Sequence, residues 1–148
     1  MNAEDRQAIL DLIAHYGYTW DANDVEGFCA LFHEDAVLNL YVPGQATPVH
    51  THTSNSERRI YIQTRWEALA AQGIQPRHYQ LNTVLTEIRP GLVRGQLMLL
   101  LTHQRAGEAV PRVVTTGIYR DEFRRSAEGW KFARRDQYID AGYPQVRG

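Results

Sequence analysis

Six histidines, at positions 15, 33, 50, 52, 78 and 103, are the side chains of this chain best suited to taking and returning a proton near neutral pH. Two of them, His50 and His52, form a His-x-His pair of a kind that can hold a metal ion, but no acidic or cysteine ligand stands beside it and no metal is assigned. His15 and His33 read as helix-surface residues. The single cysteine, Cys29, rules out an intrachain disulfide or a thiolate cluster and reads as a small buried hydrophobe. There is no Gly-rich phosphate loop and no Gly-x-Ser-x-Gly elbow, which disfavours nucleotide cofactors and serine-hydrolase chemistry. Eight tyrosines bring polar tips that need partners wherever their rings are buried.

The elements that would position these groups follow from periodicity. Ile9, Leu12, Ile13, Tyr16 and Trp20 form the apolar stripe of a helix over residues 3–20, with Asn2 and Asp5 suited to its start. Asn23 and Glu26 resemble a capping box, and Val25, Phe28, Cys29, Leu31 and Phe32 give a short second helix ending near His33. Residues 35–42 read as a strand closed by Pro43-Gly44, and residues 45–53 as a polar loop long enough to act as a lid. Ser54 and Glu57 cap a third helix, supported by Ile60, Tyr61, Thr64, Trp66, Leu69 and Ala70 and ended by Gly73. Segments 77–89, 92–104, 112–125 and 129–139 then read as strands joined by short turns, an antiparallel meander. Three helices followed by a curved, mainly antiparallel sheet make an α+β arrangement with the helices on one face, expected as one domain over residues 1–148.

Composition excludes several function classes. The 148 residues are 43% hydrophobic, 22% charged and 10% aromatic, and 16 Lys+Arg against 17 Asp+Glu give a formal charge of −1. No basic stripe or like-charge block suggests a nucleic-acid or anionic-membrane partner. The longest apolar run, Leu97 to Leu101, is strand-sized, far below the roughly 18 residues of a membrane span. The first residues lack the basic region and apolar block of a secretion signal, and with cysteine so scarce a reducing, cytoplasmic location is expected.

Four short signatures carry a resemblance: Tyr16-Gly-Tyr-Thr-Trp-Asp21 ending the first helix, Leu31-Phe-His-Glu-Asp-Ala36 entering the first strand, Arg77-His78 with Asn82, and Gly117-Ile-Tyr-Arg-Asp121 before Gly129-Trp130. In this order and spacing the chain resembles the SnoaL-like branch of the nuclear transport factor 2-like superfamily, which includes scytalone dehydratase, bile-acid dehydratase and hexachlorocyclohexane dehydrochlorinase. The likeness covers nearly the whole chain. It implies a cone-shaped α+β barrel whose sheet curls around a cavity closed by the helices, a homodimer or homotrimer, and no cofactor.

The resemblance also implies roles. Asp21 and His78 match the family's Asp-His pair, in which a carboxylate fixes the tautomer of an imidazole base. His103, 25 residues after His78, has a separation similar to that of a second active-site histidine. Tyr16 matches a helix-one tyrosine that polarises a substrate carbonyl, with Tyr119 a further candidate to bind substrate. Trp20, Trp66 and Leu99 are expected as apolar walls for a flat ring, and Asn82 as a polar lining residue. Arg135 either approaches the pocket or pairs with Asp121 or Glu122. Strand alternation puts His78 with Gln80, Asn82, Val84 and Thr86, and His103 with Leu101, Leu99, Leu97 and Val93, unless a bulge exchanges the faces. The implied function is a dehydratase-type lyase acting on a small apolar cyclic or aromatic compound. Isomerase, polyketide cyclase and non-catalytic binding subunit, such as the small subunit of a ring-hydroxylating dioxygenase, are the alternatives. Those small subunits are generally expected to be longer than this chain.

Overall fold

Asn2 opens helix α1 (Ala3–Asp21) by accepting the Asp5 amide at 2.7 Å, satisfying one of the free donors of the first turn. The structure, a computed structural model, describes residues 1–141. Helix α2 (Val25–Ala30) is capped by Asp24, which accepts from the Gly27 amide. The expected cap, Asn23, instead takes φ 55° in the turn before it, a left-handed conformation that asparagine tolerates. Ser54 and Glu57 cap α3 (Asn55–Ala71) as expected, Ser54 accepting the Glu57 amide and Glu57 the Thr53 amide.

Six strands form one sheet: β1 (Phe32–Tyr41), β2 (His50–His52), β3 (Ile74–Arg89), β4 (Leu92–Arg105), β5 (Arg112–Ser126) and β6 (Gly129–Ile139), in the order β2-β1-β6-β5-β4-β3. The meander β3 to β6 is antiparallel throughout, and β1 joins it parallel to β6, so the sheet is mixed. The first strand begins at Phe32, so His33 lies on a strand and not on a helix surface, its Nε2 2.9 Å from the Arg124 carbonyl. The expected lid segment also contains a strand, β2, paired with β1 from Leu38 to Leu40. Its His-Thr-His sequence has no apolar alternation, and backbone pairing alone defines it.

A bulge interrupts β3. Between Leu81 and Val84 one extra residue enters, with Asn82 at φ 55°, and the faces exchange beyond it. Before the bulge Gln80 faces inward. After it Val84 is 63% exposed and Leu85 packs against the core.

The inner face of the sheet and the helices enclose the core, and its centre is charged. Arg135 and Asp121, direct partners on β6 and β5, are both fully buried and bonded through two parallel contacts of 2.9 and 2.7 Å. The third donor position of Arg135 goes to Gln80 Oε1 at 2.8 Å, and Gln80 in turn donates to the Ile13 carbonyl of α1. The guanidinium also lies 4.2, 4.6 and 4.4 Å from the ring centroids of Tyr16, Tyr119 and Phe132. Burial disfavours the charge on Arg135, and the Asp121 carboxylate outweighs that, holding its pKa above the ordinary arginine value. Losing one member of such a pair strands the other. Asp121→Asn is expected to cost about 3–5 kcal/mol, lowering the melting temperature by roughly 10 °C, whereas Glu26→Gln, which breaks the exposed pair with Arg59, leaves it nearly unchanged. Thermal melts of the two variants check this, and equal melting temperatures would contradict it.

Candidate functional site

The Asp-His pair is made by the packing of α1 on β3. A Cβ on Gly17 would stand 3.1 Å from the His78 carbonyl, so the missing side chain lets the helix lie against this stretch of strand. One turn on, on the same helix face, Asp21 reaches residue 78 twice. Its Oδ2 accepts the His78 backbone N–H at 2.9 Å, and its Oδ1 lies 2.6 Å from His78 Nδ1. Both side chains are only 7% exposed. A carboxylate at that distance accepts a hydrogen bond from Nδ1–H, so the neutral form of His78 carries its hydrogen there and Nε2 keeps a lone pair. Nε2 is the ring nitrogen left for the cavity that His78 lines.

That cavity, of about 90 Å³, lies between the inner sheet face and the helices. Of the expected site residues, Tyr16, Trp20, His78, Leu99, His103 and Tyr119 line it. Asp21 stands behind His78, and Trp66 stands behind Trp20, donating its indole N–H to the Trp20 carbonyl. Arg135 lies beneath Tyr16 and Tyr119, committed to Asp121, which is the pairing alternative of the two stated for it. Asn82 is exposed on the bulge, with its amide 3.3 Å from Met98 Sδ, and does not line the cavity. Sequence reasoning missed Leu40, Tyr61, Arg65, Leu69, Pro76, Leu101, Thr115, Gln137 and Ile139 as lining residues. The 61, 65, 69 spacing on α3 was a usable signal, since residues four apart share a helix face. Arg65 broke the apolar pattern and hid it, while Ile60, counted in the stripe, is 62% exposed.

The cavity collects neutral hydrogen-bonding groups. Burial pushes the phenols of Tyr16, Tyr61 and Tyr119 above the usual tyrosine value, so all three stay protonated. Tyr16 accepts from Gln137 Nε2 at 2.7 Å, which leaves its own hydroxyl proton for another acceptor. Burial, and next the neighbouring His78, push His103 below the ordinary histidine value, so it is a neutral donor or acceptor at pH 7. Pro76, directly opposite His103 in the β3–β4 pairing, completes that wall with Leu101. The His-x-His pair lies outside this site, along α3. His52 Nδ1 is buried there without a hydrogen-bond partner, and among the described residues no group of three or more His, Cys, Asp or Glu side chains converges as a metal site.

The sequence profile of the SnoaL-like domain matches residues 1–136. No curated protein sequence matches the chain significantly. Similar solved structures include an NTF2-like protein with a cystatin-like fold from Novosphingobium aromaticivorans (26% identity, TM-score 0.76, covering 97% of this chain and 87% of that one). ActVI-ORFA from Streptomyces coelicolor is similar at 20% identity and TM-score 0.78, over 91% and 96% of the two chains. The beta subunit of a putative aromatic-ring-hydroxylating dioxygenase from Novosphingobium aromaticivorans is similar at 21% identity and TM-score 0.75, over 95% and 93%. The last coverage means that the greater length expected of such subunits does not set this chain apart from that one. These likenesses establish the cone-like fold; the tautomer assigned to His78 is a property of this chain and is directly measurable. Nitrogen-15 NMR of the imidazoles is expected to show that the neutral form of His78 carries its hydrogen on Nδ1, with the preference weakened in Asp21→Asn. A neutral form with its hydrogen on Nε2 in the native chain would contradict the assignment.

Proposed function

This chain belongs to the SnoaL-like domain family, and from that membership we propose that it is a dehydratase-type lyase acting on a small, largely apolar cyclic or aromatic molecule. The observation that carries the reading is the Asp21-His78 pair, buried and oriented, on the wall of a mostly apolar cavity. In this reading His78 Nε2 takes a proton from the carbon next to a substrate carbonyl. The C–H electron pair becomes the new double bond as the C–O bond at the neighbouring carbon breaks, and the departing oxygen leaves as water with the proton carried by His78. Asp21 stabilises the imidazolium in between. Hydroxyls of Tyr16 and Tyr119 donate to the carbonyl oxygen as charge builds there. Neutral His103 supplies a hydrogen bond to the leaving oxygen, because its lowered pKa makes it a poor store of a proton. The two proton transfers, from carbon to His78 and from His78 to the leaving oxygen, both run through this one imidazole. An isomerase or cyclase uses the same base and sends the proton elsewhere.

Copies of the chain are proposed to associate through the outer sheet face. Leu81, Met98, Ile118, Tyr138 and Tyr41 follow one another there across five strands, with Leu81 and Met98 about half exposed and the two tyrosine rings stacked at 4.5 Å. A mass of 17.0 kDa by light scattering would contradict that association.

A panel of cyclic β-hydroxyketones, followed by the absorbance of the enone formed, tests the activity. At least one member is expected to lose water faster than in buffer, and His78→Ala to return it to the buffer rate while binding persists. Full activity in His78→Ala would refute the base assignment. Binding without conversion of any member would favour the non-catalytic subunit reading.

A further inference from the structure

Gln137 stands on β6 directly opposite Tyr119 of β5, and both residues belong to the cavity wall. It is only 6% exposed, and a buried carboxamide has two ends to satisfy, an N–H donor and a carbonyl acceptor. One end is satisfied, because Nε2 donates to Tyr16 Oη at 2.7 Å. Among the described residues nothing donates to the other, Oε1. That oxygen is not sealed in the packing either. Among the described residues the one fully enclosed side-chain nitrogen or oxygen without a partner is His52 Nδ1. Oε1 therefore opens on the cavity that Gln137 lines, as an acceptor without a donor.

The groups beside it have the opposite character. Tyr16 accepts from Gln137, so its own hydroxyl hydrogen is directed elsewhere, and Tyr119, kept protonated by burial, has a hydroxyl hydrogen as well. The two phenol rings lie 6.2 Å apart. Two donors and one acceptor thus share this part of the wall, and the acceptor and the Tyr16 donor belong to one hydrogen-bonded unit. Solvent can serve Oε1 only until a ligand fills the cavity of about 90 Å³. A ligand with a carbonyl and nothing else polar matches the phenols and leaves Oε1 dry and unpaired, which weakens binding.

We propose that the ligand carries a hydroxyl or N–H donor beside its carbonyl, this donor binding Gln137 Oε1 while the carbonyl accepts from Tyr16. The inference rests on the reading of the cavity as a small-molecule site. It narrows the substrate class from cyclic carbonyl compounds in general to those with an adjacent donor, such as a cyclic α-hydroxyketone. The donors then run one way around a closed ring, from Gln137 Nε2 to Tyr16, from Tyr16 to the ligand carbonyl, and from the ligand back to Gln137 Oε1. Each bond of such a ring polarises the next. The donor occupies the flank of the carbonyl away from the C–H that His78 takes. Gln137 is in this way a specificity-determining residue and moves no proton.

Calorimetric titration at neutral pH with 1-tetralone and with 3,4-dihydroisoquinolin-1(2H)-one tests it. The two share their rings and carbonyl, and differ where a CH2 of the ketone is the N–H of the lactam. The native chain is expected to bind the lactam at least as tightly as the ketone. Gln137→Met keeps the length of the side chain without the acceptor, so the lactam is expected to fall at least about fivefold below the ketone there, as for a donor left unpaired. A merely structural loss would lower both ligands alike. His78 Nε2 is the other acceptor on this wall, and His78→Ala should keep the native ratio. Melting temperatures within a few degrees of native confirm that the variants are folded, and the native ratio is read without any variant. Weaker binding of the lactam than of the ketone by the native chain, a ratio unchanged in Gln137→Met, or a ratio lost in His78→Ala overturns this inference and leaves the proposed lyase standing. Binding of neither probe overturns the small-molecule reading on which both rest.

Discussion

A guanidinium with no exposed surface sets the terms for the rest of this molecule. Leaving the Arg135 charge unpaired in the core would cost several kcal/mol. Each of its three nitrogens finds an acceptor, tying β6 to β5 through Asp121 and to β3 through Gln80, which continues to the Ile13 carbonyl of α1. The helix that carries Tyr16 and Asp21 is thereby linked to the same network as the strands that carry Tyr119 and His78. Three aromatic rings close over the cation, two of them belonging to tyrosines that line the cavity above. Cavity floor and buried ion pair are one construction, and the polar groups of the site inherit its rigidity.

On that floor the site separates its roles by environment. Asp21 holds both the backbone and the ring of residue 78, which fixes the strand, the ring orientation and the tautomer with one carboxylate. The other imidazole, His103, is kept neutral by burial and by His78, and the three phenols are kept protonated by burial. The result is one oriented imidazole surrounded by neutral hydrogen-bonding groups, an arrangement suited to proton abstraction next to a carbonyl. Apolar residues fill most of the remaining wall, where hydrogen bonds to a developing oxyanion are stronger than in water.

Much of this was legible in the sequence because it rests on local rules. Helices announced themselves through capping residues and apolar stripes, and the four long strands through their alternation and short turns. The pairing of Asp21 with His78 depended on family likeness, since nothing in their 57-residue separation implies contact. What escaped did so for physical reasons. Strand β2 is three polar residues defined by backbone bonds. The extra residue at Asn82 reverses which side chains of β3 face inward, and alternation cannot show it. Arg65 lines both the cavity and the neighbouring groove, whereas a hydrophobicity pattern assigns such a residue to solvent. Gln137 and Leu40 reach the wall through the parallel pairing of β1 with β6, a long-range register that periodicity does not report.

The central claim is that His78 Nε2, oriented by Asp21, removes a proton from carbon inside the cavity. Deuterium exchange at the α-carbon of 2-tetralone, a cyclic ketone with acidic C–H bonds and no leaving group, isolates that step from any later elimination. Followed by proton NMR in D2O at neutral pH, the native chain should exchange these hydrogens well above the buffer rate and His78→Ala should not. Exchange at the buffer rate with 2-tetralone demonstrably bound, or equal exchange by the His78→Ala chain, would contradict the account.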